Sequence, residues 1–346
     1  MTAMTRQRDL LLCARAYSTA LVALVAFGIA FASFAQTVTP PYVSPDTPQG
    51  TGPYPAIMET DPGLATHTVY RPKNLAALGV QKLPILAFAN GACANRGNGF
   101  RYFLTEIASH GMLAIAIGPM GPKEGEYELI GNGQPAAGSP AAALAAAGKL
   151  AAATPASGPT PAYTTAAQLI EAMDWAQAEN KRRDSPYSGR LDTARIAVMG
   201  MSCGGLQALD AAHDPRVTTL GVWNSGTYSD DKRALEIAAA KATKAGLKTL
   251  RVPTLYVTGD PSDIAFANTE DDFARIDGVP LFRAWRENTG HGGTYREPNG
   301  GEFGRVAVSW LLWQLKGDKD AGKMFAGADC GICKLPNWHV KKKSID

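Results

Sequence analysis

Gly200-Met201-Ser202-Cys203-Gly204 sets a serine between two glycines in the pattern G-x-S-x-G. A serine hydroxyl is a weak nucleophile until a base takes its proton. Presenting it to a substrate requires a tight, strained turn, and glycines on both flanks let neighbouring backbone come close. Such a turn between a strand and a helix calls for partners in the chain order serine, acid, histidine. His291, in NTGHGGTY, is the histidine beyond Ser202 that follows a strand candidate and lies in a glycine loop. His67 and His110 precede the serine, His213 lies in or just after its helix, and His339 is in the C-terminal tail. For the acid, TLYVTGDPSDIAF offers Asp260 and Asp263 just past a strand end. The carboxylate must fix the imidazole tautomer and stabilise the imidazolium, which demands reach toward His291 and no particular strand position. Asp263 is preferred, leaving Asp260 as a turn or cap residue.

Acyl transfer at Ser202 also needs donors for an oxyanion. One is the backbone N–H of the residue after the nucleophile, Cys203. The second comes from the loop Asn90-Gly91-Ala92-Cys93 and is assigned to the Ala92 N–H, with Gly91 giving backbone freedom. If both N–H groups point at one oxygen, Cys93 and Cys203 sit on adjoining loops within bridging range, and a disulfide would staple the two halves of the oxyanion hole. The alternative is that Cys203 is a small buried hydrophobe. Cys330-x-x-Cys333 then forms the remaining pair. A zinc site there would need two more ligands, and none is near in the sequence.

The elements that must position these residues alternate along the chain. Buried strands are expected at Leu83 to Gly91, Met112 to Gly118, Arg195 to Gly200, TTLGVWN, TLYVTGD and LFRAWREN. Helical spacing appears in Phe100, Phe103, Leu104 and Ile107, near Thr165 to Asn180, after Ser202, around Ala234 to Lys244, near Asn268 to Ile276, and in Phe303, Val306, Trp310 and Trp313. Strands alternating with helices imply crossover connections, hence an α/β fold with a mainly parallel central sheet and helices on both faces.

The composition, 45% hydrophobic and 19% charged over 346 residues, is that of a globular chain with a large core. Residues 1–35 read as a cleaved export signal: Arg6, Arg8 and Arg15 precede an apolar run from Ala20 to Ala32, and Ser33-Phe34-Ala35 offers small residues to a peptidase. Cys13 lies before that run, which argues against a lipid anchor. Residues 36–55, rich in Pro, Thr and Gly, read as an extended leader, and 56–346 as one domain. An Ala, Pro and Gly-rich insertion interrupts the domain at about 131–161. The net charge of +3 falls nearer neutrality once the signal is removed, so no nucleic-acid or membrane partner is expected, and Lys341 to Lys343 read as a solvated tail. Four cysteines after the signal fit disulfides in an exported, periplasmic or extracellular protein.

With these residues in view, the chain resembles the α/β-hydrolase superfamily, and within it the dienelactone-hydrolase-like and cutinase or polyester-hydrolase-like branches. The resemblance spans about Ala56 to Leu315. It rests on EIASHGMLAIAIG, MDWAQAEN, LDTARIAVMGMSCGG and GDPSDIAFA, the last resembling a D-x-I-A context that favours Asp263. It implies hydrolysis of small or polymeric carboxylic esters through an acyl-enzyme, with no metal or organic cofactor. It also implies an aromatic near the acyl pocket, for which Trp223 is the match. Dienelactone hydrolases use a cysteine where this chain has Ser202, and polyester hydrolases carry an aromatic where it has Ala92, so the ester itself is left open. A peptidase or amidase could use the same triad, and an exported binding protein could keep the fold without turnover.

Overall fold

The apolar run Leu83-Pro84-Ile85-Leu86-Ala87-Phe88-Ala89 has no polar residue to turn toward water, and it lies wholly buried as a central strand. Around it, the computed structural model describes residues 42–43, 48–121 and 163–346, with the backbone alone at 42–43. The expected export signal and the Ala-rich insertion lie outside the described residues.

In chain order the strands are β1 (Tyr42–Val43), β2 (Ala56–Thr60), β3 (His67–Pro72), β4 (Leu83–Ala89), β5 (Leu113–Ile117), β6 (Leu191–Met201), β7 (Val217–Trp223), β8 (Thr254–Thr258), β9 (Leu281–Arg286) and β10 (Trp338–Lys343). They form one sheet in the order β1-β2-β3-β5-β4-β6-β7-β8-β9-β10. Pairs from β5 through β9 are parallel, while β1, β2, β3 and β10 join antiparallel at the two sides, so the sheet is mixed.

The helices are α1 (Arg101–Ser109), α2 (Ala167–Lys181), α3 (Cys203–Ala211), α4 (Asp231–Ala238), α5 (Phe266–Arg275), α6 (Gly301–Lys316) and the single turn α7 (Lys319–Gly322). The two-residue period of the strands divides the core. Ile85 and Ala87 of β4 face Leu169 and Met173 of α2 and Leu206 and Leu209 of α3, while Leu86 and Phe88 face Phe103 and Leu104 of α1 and Phe303 and Trp310 of α6. Truncating a side chain such as Phe88 in so closed a layer costs about 3–5 kcal/mol.

Three sequence expectations change. Lys341 to Lys343 are no free tail: they end β10, which pairs with β9 along its whole length, and Lys341 and Lys343 reach Glu270 and Asp277 at 2.7 and 3.0 Å. Lysines suit this position because a charged outer strand blocks further strand pairing. The helix expected at Ala234 to Lys244 is shorter and starts earlier. Asp230 caps it through the Lys232 N–H, and Ala239 turns left-handed to end it. The expected leader contributes to the domain: β1 pairs with β2, and Thr51 and Gly52 bond Glu106 and Ser109 of α1.

Candidate active site

Ser202 stands between β6 and α3 with φ 53° and ψ −119°, a backbone conformation that non-glycine residues rarely adopt. Its own backbone is pinned on both sides. The N–H donates to the Trp223 carbonyl at 2.8 Å, and its carbonyl accepts from the Ser225 hydroxyl at 2.7 Å and the Gly205 N–H at 2.9 Å. The glycines of the motif are steric requirements: a β-carbon on Gly200 would overlap the Gly204 carbonyl, and one on Gly204 would overlap the Ala89 carbonyl of β4.

His291 lies in the loop after β9, and Asp263 follows β8. The two loops touch at Gly259, where a β-carbon would run into the Gly290 backbone. His291 Nε2 lies 2.9 Å from Ser202 Oγ, and Nδ1 lies 2.6 Å from Asp263 Oδ1. An ionised carboxylate can only accept, so the proton belongs on Nδ1 and leaves Nε2 as the acceptor facing the serine hydroxyl. Burial opposes charge on Asp263, yet hydrogen bonds from His291, the Ala265 N–H and Asn224, together with the charge attraction of His291, hold its carboxyl below the usual carboxylate range. Asp260 sits apart, half-buried, accepting from the Ser262 and Thr289 N–H groups at 2.9 and 3.2 Å.

The two N–H groups expected to receive an oxyanion sit on two tight turns. Cys203 is the first residue of α3, so its N–H is among those with no acceptor inside the helix, and it points where the helix dipole is positive. Ala92 occupies a one-turn segment, Gly91–Cys93, in a left-handed conformation (φ 55°, ψ 18°), and Cys93 follows at φ 47°. A disulfide joins Cys93 to Cys203, with Cα atoms 5.3 Å apart, and a second joins Cys330 to Cys333. Gln207 of α3 fastens this corner from beneath, donating to the Thr164 and Ala238 carbonyls at 2.8 and 3.0 Å and to Cys93 Sγ at 3.2 Å.

The model of the PET hydrolase-like family matches residues 154–326, half of the chain. The chain belongs to the PET hydrolase-like family. That family has the α/β-hydrolase fold and acts on polyesters, which makes ester hydrolysis the activity class. No curated protein matches the chain. The matched span holds Ser202, Asp263 and His291, whereas Ala92 and Cys93 precede it.

Trp223 departs from the expectation that it lines an acyl pocket. It is fully buried at the end of β7, packed edge-on to Phe103 and Tyr295 and tilted against Phe303, so no face of the indole is open to a substrate. The next residue, Asn224, was not anticipated. It is buried at φ 42°, and its amide Nδ2 donates to Asp263 Oδ2 at 2.7 Å and to the Gly290 carbonyl at 3.2 Å. Tyr295, also buried, donates its hydroxyl to Asn224 Oδ1. The one sequence signal was an asparagine directly after a buried strand, where left-handed backbone is tolerated. Among the described residues no group of three or more His, Cys, Asp or Glu side chains is placed to hold a metal ion.

Proposed function

We propose that this member of the PET hydrolase-like family is an exported serine hydrolase that cleaves carboxylic esters through an acyl-enzyme on Ser202. The observation that carries the reading is the unbroken chain Ser202 Oγ, His291, Asp263, with contacts of 2.9 and 2.6 Å. His291 Nε2 takes the hydroxyl proton as Oγ attacks the ester carbonyl, and Asp263 stabilises the imidazolium that results. The carbonyl oxygen, now negative, is received by the N–H groups of Ala92 and Cys203. The imidazolium gives its proton to the departing alcohol, and water then attacks the acyl-enzyme by the same route in reverse. Export is supported by two disulfides, which persist in oxidising compartments. No helix among the described residues is long and apolar enough to cross a membrane. A polymeric ester is a fitting substrate, beside small ones, because His291 retains some solvent exposure and Ile264, beside Asp263, projects an apolar side chain into water.

The test is labelling of the purified protein with a fluorophosphonate probe beside Ser202→Ala, followed by esters of graded acyl length and the matching amides. Labelling lost in the variant, with turnover of esters, is the expected result. An unlabelled wild type refutes the reading, and faster turnover of amides than of esters replaces it with an amidase.

A further inference from the structure

The segment Trp223-Asn224-Ser225, at the end of β7, touches all three loops that carry the triad. The Trp223 carbonyl and the Ser225 hydroxyl grip the backbone of Ser202 from either side. Asn224 reaches the acid and the histidine loop, and its own N–H continues the sheet ladder to the Val257 carbonyl at 2.7 Å.

The Asp263 carboxylate accepts from His291 Nδ1 and the Ala265 N–H on Oδ1, and from Asn224 Nδ2 and the Gly259 N–H on Oδ2. About four lone-pair positions are available on a carboxylate, so each donor has its place and the group cannot rotate without losing several. Two of the donors are backbone groups of the acid's own loop and one is the reacting histidine. Asn224 is the donor that ties the acid to the rigid sheet.

The orientation of the Asn224 amide follows from chemistry. Both the ionised Asp263 and the Gly290 carbonyl can only accept, so both require Nδ2, and Oδ1 must then face Tyr295. Burial, reinforced by the charge of Asp263, pushes the Tyr295 hydroxyl well above its ordinary range, so it stays a donor at any working pH.

We infer that Asn224 is a positioning residue for the triad: its amide, aimed by Tyr295, holds Asp263 Oδ1 against His291 and fixes the histidine loop to the acid loop through Gly290. The inference rests on the hydrolase reading above. It explains why an amide and not a carboxylate stands here. An aspartate of the same shape would put a second carboxyl against Asp263, and two carboxylates that close cannot both be ionised without raising one pKa. The titratable and charged groups facing this cluster are Asp263, His291 and Tyr295, with Asp260 and Arg286 further out on the same loops, bonded to the Thr289 N–H and hydroxyl.

The experiment compares wild type, Asn224→Asp and Tyr295→Phe by thermal melting, by kcat and KM on p-nitrophenyl acetate across the working pH range, and by the NMR titration of His291. For Asn224→Asp the expected result is a kcat lower by about tenfold or more with KM within about twofold, since the loss falls on the transition state. Its acid limb of kcat/KM, and the His291 titration with it, moves to higher pH by about half a unit or more, because added negative charge favours the imidazolium. Tyr295→Phe keeps the ring packing and loses the aiming donor, and a smaller fall in kcat, about threefold or more, is expected. A folded Asn224→Asp with wild-type kcat and an unmoved acid limb overturns the inference. If that variant does not fold, wild-type kcat in Tyr295→Phe overturns it instead. A wild type inert to esters and to fluorophosphonate defeats the hydrolase reading separately, and the His291 titration then decides: a shift in Tyr295→Phe, which adds no charge, upholds the positioning role, and its absence overturns it.

Discussion

The Cys93–Cys203 disulfide closes a loop between residues 110 apart in sequence, whereas Cys330–Cys333 spans a separation of 3. In the chain-entropy account the stabilisation grows with the logarithm of loop length, giving about 5 kcal/mol for the first bridge and under about 2 for the second. For a domain of this size each kcal/mol is worth about 2–4 °C in Tm, so Cys93→Ala/Cys203→Ala should melt roughly 10–20 °C lower, and Cys330→Ala/Cys333→Ala only a few degrees lower. The functional effect is separable from this. Cys203 carries one expected oxyanion N–H and Cys93 adjoins Ala92, which carries the other, so the bridge spans the two donors. Removing one oxyanion donor outright costs about 100- to 1,000-fold in kcat, and loosening both turns should cost a part of that, about 10- to 100-fold, with KM little changed. The assay is kcat and KM on p-nitrophenyl butyrate, measured well below the lower Tm, for both double variants and for wild type before and after reduction. A Cys93→Ala/Cys203→Ala protein that is folded at the assay temperature and keeps wild-type kcat refutes the staple. Equal losses of Tm in the two double variants refute the loop-length argument.

Asp263→Asn should lower kcat about ten-thousand-fold by allowing the wrong imidazole tautomer, while Asp260→Asn should stay within a few-fold of wild type; steady-state kinetics on one ester distinguishes them, and the reverse order would exchange the two roles. Gly204→Ala places a methyl group on the Ala89 carbonyl and should abolish activity or folding, read by expression, melting and fluorophosphonate labelling. His67 is fully buried, its Nε2 bonded to the Gln168 carbonyl at 2.9 Å, and burial lowers its pKa to about 4. The unfolded chain therefore binds the extra proton first as pH falls, so the contribution is complete above the ordinary histidine value and is lost between about pH 6.5 and 4, amounting to about 3 kcal/mol. Denaturant melts across that window should show the loss in wild type and a flatter profile in His67→Gln; parallel profiles would refute the assignment.

What could be read from the chain were features whose meaning is local. Gly200 to Gly205 announce a tight turn by composition alone, the glycines around His291 mark a loop, and the runs at β4, β5 and β8 are apolar enough to be buried on both faces. β2 and β3 were missed because their pattern includes Glu59 and Arg71, which look like surface residues until they pair with each other at 2.7 Å and Tyr187, 128 positions from Glu59, closes over them at 2.9 Å. β10 was missed for the same reason, since three lysines in a row read as solvated until Glu270 and Asp277 are brought alongside.

The site divides along the same line. Ser202, His291 and Asp263 could be ordered from motif and loop context, because a strained serine turn restricts where its partners can be. Trp223 and Asn224 are neighbours that the chain alone could not tell apart in role. An indole after a strand can face a pocket or the core, and what decides for the core is Phe103, Tyr295 and Phe303, contributed by α1, the histidine loop and α6. An asparagine after a strand can end a turn or bind an acid, and what decides is the simultaneous presence of Asp263, Gly290 and Tyr295, none within 38 positions of it. The less legible residues are thus those whose partners come from several loops at once. Those same residues hold the loops in register, so the part of the site hardest to read from sequence is the part on which its geometry depends.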